Sequence, residues 1–404
     1  MIFTIARRNL WRNRRRTLIV ISSVIAGVVA IILNDSVGNG IVSQMLDNQI
    51  NLHTSHIQIH QNGFNENKSI QAVLPDPNFV EDILNQNSNI ATYSKRTIAF
   101  GLLNSANSSA GATFVGIEPE AESKITSIKS SIIEGKYPEI GKRDILIGKK
   151  MAEKLEVEVG GKIVAVTNSS DGNVNSELFR VSGIFRAGSS DFENSNIYIP
   201  YDFAENLLEL GGSFHEFAIV TNSKEDIEII KTQLSDSLGD EYEILSYRDL
   251  LPLIVSYIEA YKSTIIIFYI IIGLAVLFGI INTMLMSVFE RVQEFGVLMA
   301  IGMKNKKIYL MVVLESLVIG VIGSIFGFII GMAIYLIISN TGIDLRAFSE
   351  SLESMGLSAI IFPSVNLKLI INSMLVMPVT SVIGALYPAY KAIKLQPTDA
   401  IRYV

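Results

Sequence analysis

Four long apolar runs, Thr17–Leu33, Thr264–Phe289, Ile308–Ser339 and Leu367–Tyr387, constrain this chain more than anything else in it. Each reaches or approaches the roughly 20 residues that a helix needs to cross the hydrocarbon core of a bilayer. Inside that core only a backbone hydrogen-bonded to itself is tolerated, so each run must be helical. Between the first and second lies a polar stretch, Asn34–Ser263, of a size that supports its own core and two subdomains. The expectation is a membrane protein with four transmembrane α-helices and a large extracytoplasmic α+β domain.

Charge orients the spans. Arg7, Arg8, Arg12, Arg14, Arg15 and Arg16 precede the first, with no acid among them. Arg291, Lys304, Lys306 and Lys307 follow the second, and Lys391, Lys394 and Arg402 follow the fourth, whereas 340–366 holds only Arg346. The positive-inside rule then places 1–16, 290–307 and 388–404 in the cytoplasm, in a cell inner membrane, with 34–263 and 340–366 outside. The outer stretch carries 32 acids against 18 Lys and Arg, which argues against nucleic acid as a partner. There is no cysteine, so no disulfide holds this domain together. The Arg-rich start also suits a cleaved signal peptide, but no A-x-A site follows Leu33 and the run is long for one.

Within 34–263, His56–His60 alternates with period two, as a half-buried strand does. Further strands are expected at 112–117, 145–148, 162–166, 179–185, 196–200 and 216–221, with helices at 78–87, 149–155, 202–210 and 224–238. Ser169–Asn173 reads as a hairpin turn. From Asp249 a helix starting at Pro252 runs without a breaker into the second span, as a stalk. His53, His56 and His60 could be taken for metal ligands, but no acid stands at suitable spacing, so they are read as polar strand edges. No G-x-S-x-G elbow is present. No catalytic residue and no metal site are expected.

In the third span Gly323, Gly327 and Gly331 recur every four residues, with Gly320 just before them. Such a stripe lets a second backbone approach closely, either within the chain or from another subunit. Glu315, two turns inside, is costly in lipid and is expected to face protein. Asn282, Thr283, Thr380 and Ser381 are read as interhelical hydrogen-bonding residues.

The segment Glu290–Lys307 is too short for a domain. Its apolar residues interleave with charges as in a helix at a membrane interface. The sequence ERVQEFGVLMAIGMKNKKI, with Glu290, Arg291, Glu294, Phe295, Gly296, Ala300 and Gly302, resembles the cytoplasmic coupling segment of MacB/FtsX-like ABC permeases, E-R-x-x-E-[FI]-G-x-x-x-A-x-G. Glu315 and the glycine series fall where that family has its acid and glycines. Pro388, Ala389, Ala392, Pro397, Ala400, Ile401 and Arg402 are similar to the family's terminal P-A-x-x-A-x-x-x-x-P-x-x-A-[IL]-R. Parts of the outer domain, Asp144–Gly148 and Phe114–Pro119 among them, look like those of lipoprotein-releasing, Lol-type permeases.

The resemblance implies a mechanotransmission permease. A cytoplasmic ABC ATPase dimer would receive the coupling helix, and a second permease subunit, identical or homologous, would complete the complex. A periplasmic carrier or outer-membrane component is a further partner in such a scheme. The chain contains no G-x-x-x-x-G-K-[ST], so no cofactor is expected on it, ATP being bound by the partner subunit. Lipoprotein release is the leading expectation. Efflux of peptides, toxins or drugs, and an FtsX-like regulator that transports nothing, are the alternatives.

Overall fold

The computed structural model describes residues 14–354 and 357–394. The arginines before residue 14 and the tail residues Pro397, Ala400, Ile401 and Arg402 lie outside the described residues. The chain divides into a helical unit and a globular unit, the latter made of Gln44–Ser256 and Leu345–Ala359.

Four long helices, Arg14–Gln49, Pro252–Glu290, Asn305–Thr341 and Leu367–Ile393, are each long and apolar enough to cross a membrane. The first does not stop near Leu33, where the sequence turns polar, but continues to Gln49 and ends in a π-helical turn, Ile50–Thr54. Gly38 and Gly40 look like breakers and are contact points. A Cβ on Gly38 would sit 1.6 Å from the Tyr261 hydroxyl, and one on Gly40 would sit 2.3 Å from the Phe362 carbonyl oxygen. The globular unit accordingly begins later than Asn34, and it gains 345–359 from the third loop.

The glycine stripe is filled from within the chain. Cβ atoms added at Gly323, Gly327 and Gly331 would lie 2.6–2.9 Å from Val24, Val28 and Ile32 of the first helix. One added at Gly320 would meet Ser381 of the fourth at 2.6 Å. The backbones therefore approach as small-xxx-small packing requires. The polar residues behave less uniformly. Ser316 donates to the Ser381 carbonyl at 2.6 Å, but Thr380 bonds back to Val376 of its own helix, and Asn282 is exposed. Gly327→Leu is expected to separate the first and third helices and lower the thermal midpoint of the detergent-solubilised chain by several degrees, at a cost of about 1–3 kcal/mol; an unchanged melt would place the stripe elsewhere.

The globular unit contains strands β1 (Ile57–Gln61), β2 (Ile90–Asn104), β3 (Ser109–Ile117), β4 (Ile132–Gly135), β5 (Asp144–Gly148), β6 (Lys162–Asn168), β7 (Val174–Phe185), β8 (Asn196–Pro200), β9 (Glu216–Thr221) and β10 (Tyr242–Ser246). Two subdomains share β2. Its first half pairs with β9, giving an antiparallel sheet in the order β10-β1-β9-β2. Helices Pro77–Gln86 and Ile227–Leu238 cover one face of it through Val80, Leu84, Ile230 and Leu234, packed on Ile57, Ile59, Phe217 and Ile219. This βαββαβ arrangement is ferredoxin-like. The second half of β2 pairs with β3 and β6, and the series β2-β3-β8-β5-β7-β6 returns to β2 as a closed ring. The ring is filled by residues such as Leu103, Phe114, Ile147, Ile163 and Phe179. Its whole sequence lies between the second and third strands of the ferredoxin-like sheet.

At the switch point stands Arg96, fully buried. Its Nε and Nη2 donate to Glu122 at 3.1 and 2.8 Å, and its Nη1 donates to Glu216 at 2.7 Å and to the His53 carbonyl at 2.6 Å. Glu122 belongs to the helix Pro119–Ile125 after β3, Glu216 opens β9, and His53 lies in the π turn that ends the first helix. One guanidinium thus joins both subdomains to a carbonyl group at a helix end.

The strand β1, which His56 precedes and which contains His60, is buried on both faces, not on one, because its polar side, with Gln58 and His60, lies towards this charged centre. His60 Nε2 is 3.2 Å from Gln58 Oε1 and 3.7 Å from Glu216 Oε2. Phe64 stacks between His60 and His215, with centroids 4.9 and 5.3 Å away. His215 Nδ1 accepts the Ile98 N–H at 2.9 Å, so Nε2 carries the proton and donates to the Ile70 carbonyl. Burial pushes both imidazoles down to about 4. Among the described residues no three His, Asp or Glu side chains are grouped to hold a metal ion.

Candidate functional site

The second and third long helices are joined by a short helix, Val292–Ala300. Its end follows from Gly302, which adopts φ +90°. The Gly302 N–H donates to the Met299 carbonyl and the Met303 N–H to the Leu298 carbonyl, both at 3.0 Å. This is the paired bonding of a Schellman stop, in which a glycine takes the left-handed position without steric cost.

The residues singled out in this segment divide by face. Arg291 is the residue before the helix, and its Nε donates to Glu294 Oε2 at 3.0 Å. Its Nη1 donates to Glu315 Oε2, also at 3.0 Å, on the third long helix. Its guanidinium lies 5.1 Å from the Phe295 ring centroid. The Arg291 and Glu315 side chains are only 11% and 7% exposed, which makes the pair a buried one. Val292, Phe295 and Gly296 are buried too. Glu290, Gln293, Val297, Ala300, Ile301 and Gly302 are exposed, Ile301 by 75%. Thus Arg291, Phe295, Gly296 and Glu315 point into the chain, Glu294 stands between, and the outward stripe is Gln293, Val297, Ala300 and Ile301. Position in the motif did not indicate this split. The 3.6-residue period did carry it, since Val292, Phe295 and Met299 lie along one side and Gln293, Val297 and Ala300 along the other.

The described part of the C-terminal motif reaches the same place. Pro388, Ala389 and Ala392 lie within the fourth long helix and are buried. Ala389 and Ala392 share an apolar cluster with Val288, Phe295, Ile308 and Met311. Their small size suits that crowding.

A family model described as the MacB-like periplasmic core domain matches residues 17–237, and one described as the FtsX-like permease C-terminal matches 266–397. The chain belongs to the MacB/FtsX-like family of ABC transporter permeases. An uncharacterized ABC transporter permease of Methanocaldococcus jannaschii is 26% identical over 99% of this chain and 97% of its own length. The lipoprotein-releasing system transmembrane protein LolC of Neisseria meningitidis serogroup B is 24% identical over 96% and 94%. The macrolide export ATP-binding/permease protein MacB of Neisseria meningitidis serogroup A is 22% identical over 96% of this chain but only 58% of its own length.

This MacB/FtsX-like permease has two further polar contacts that sequence reasoning passed over. Asp35, just beyond the first apolar run, is buried, and the Tyr269 hydroxyl of the second helix donates to it. The Tyr261 hydroxyl reaches the Asn34 carbonyl at 3.5 Å. The available signal was an acid just after the first apolar run and two tyrosines near the start of the second, but nothing in the sequence paired them.

Proposed function

We propose that this permease is the membrane subunit of a mechanotransmission transporter, in which ATP hydrolysis by a separate ABC ATPase moves the globular unit on the far side of the membrane. The short helix Val292–Ala300 carries this reading. It presents the stripe Gln293, Val297, Ala300 and Ile301 outward while Arg291 at its start fastens it to the third helix. Such a stripe suits a shallow apolar cleft on an ATPase surface. Both termini and this helix would lie in the cytoplasm, and a second permease subunit would complete the pair. ATP would be bound by the partner, and no catalytic group would come from this chain. The drive is the difference in stability between open and closed ATPase states. The first helix, which runs on to Gln49, and the second, which starts at Pro252, are suited to carry the movement outward.

The cargo proposed is acylated protein extracted from the outer leaflet, a reading supported by similarity to LolC along nearly its full length. Export in the manner of MacB is the second reading, favoured by the match to the MacB-like core domain. Depletion of the chain should leave acylated proteins in the inner membrane on fractionation. Correct sorting, with hypersensitivity to a toxic compound, would decide for export. Correct sorting with no moved substrate and an altered outer partner would decide for a regulator. In the same cells, Ile301→Glu should reduce co-purification of the ATPase with the tagged chain by about tenfold or more.

A further inference from the structure

We propose that Arg291 is a positioning residue, acting through Glu315, which makes the short helix and the third long helix move as one body; this rests on the ATPase-coupled reading above. Three observations carry it. First, the guanidinium is bonded on both sides, at 3.0 Å to Glu294 within the short helix and at 3.0 Å to Glu315 well inside the third helix. Second, the contact is sheltered, because both side chains of the cross-helix pair are nearly buried and the Phe295 ring, itself fully buried, lies against the guanidinium. A buried pair of this kind is far more costly to break by removing one partner than a surface pair, since the remaining charge has no water to turn to. Third, the connection between the two helices is short, a glycine stop followed by Met303 and Lys304, held by backbone hydrogen bonds and by apolar packing of Met303, so Arg291 supplies the charged tie between them. The division of faces then separates two tasks. The outward stripe binds, and the inward pair transmits. Displacement of the short helix reaches the third helix through the Arg291–Glu315 bond, rather than being absorbed in the turn at Gly302.

The absence of cysteine from the sequence allows single-cysteine reporters in the full chain. The complex is purified through a tag on the chain, with Val292→Cys as a reporter under the short helix and Leu253→Cys, 76% exposed, as a fluorophore site at the start of the second long helix. Glu315→Gln should keep ATPase co-purification within about twofold, speed maleimide labelling at position 292 by about tenfold, and reduce the ATP-dependent fluorescence change at position 253 by about tenfold. The double reversal Arg291→Glu with Glu315→Arg should recover both signals, and Arg291→Lys, which keeps the charge but not the fork, should recover them only in part. The inference is overturned if Glu315→Gln loses the ATPase as severely as Ile301→Glu. It is also overturned if labelling at position 292 is unchanged, or if the wild-type complex shows no ATP-dependent signal. If the wild-type chain captures no ATPase at all, the functional reading fails, while labelling at position 292 still tests whether the pair fastens the helix.

Discussion

Replacing Arg96 by methionine should unfold the globular unit under conditions where the native chain is stable. The side chain is fully buried with two glutamates, so its removal strands Glu122 and Glu216 in a site with no solvent. Breaking a buried ion pair from one side costs about 3–5 kcal/mol, a large share of the stability of an ordinary domain. The His53 carbonyl loses its donor at the same time. Thermal unfolding of the purified full chain, followed by hydrogen exchange in β2 and β9, is the measurement. The triple change Arg96→Met, Glu122→Gln and Glu216→Gln should recover much of the loss, because it removes the stranded charges as well. Equal melts for the native chain and the single variant would show that the centre contributes little.

The second large effect is on acidification. His60 and His215 are held neutral by burial, at about 4, against about 6.5 for an unfolded chain. Between those values the unfolded state binds more protons than the folded one, so stability rises with pH there. The contribution is complete above about pH 6.5 and is lost as pH falls towards 4, by roughly 3 kcal/mol for each imidazole. Phe64 lies between the two rings, so charging both would also place two cations on either face of one aromatic ring. Unfolding midpoints at pH 7 and pH 4.5 should differ accordingly, and His60→Leu should remove about half of the slope. A flat profile between these values would contradict the burial of both rings.

The parts of this fold that could be read in the sequence are those where one local rule operates alone. The helix Lys149–Leu155 and the strands β8 and β9 coincide with their sequence expectations because turn residues bound them and their periods are clear. The strand β2 was not legible. Its burial runs from mostly partial in the first half to four consecutive buried residues, Arg96–Ala99, at the crossing, as it leaves one sheet and enters the other. Alternation holds only while a strand keeps the same neighbours, and β2 changes them at Arg96. The extension of the first helix was hidden for a different reason. Polar residues and glycines usually signal an exit from helix, but here they meet Tyr261, Tyr269 and the 362–363 backbone. At the candidate site, the motif singled out the segment and the acid Glu315 without revealing that they bond to each other. A cross-helix pair 24 residues apart in sequence is a property of packing, which no local pattern records.

The sheet order has a consequence for how the protein is made. β1, the first strand to be synthesised, is flanked by β9 and β10, the last two, with Ile57 opposite both Ile219 and Ser246. The ring can close on local material, but β1 has no partner until nearly the whole globular unit exists. Loop closure over that distance is slow, and an unpaired strand is exposed while it waits. Assembly of the ferredoxin-like half is therefore expected to be the late, rate-setting step, completed as the second long helix is being synthesised. Chaperones that protect strand edges would act on β1 in that interval.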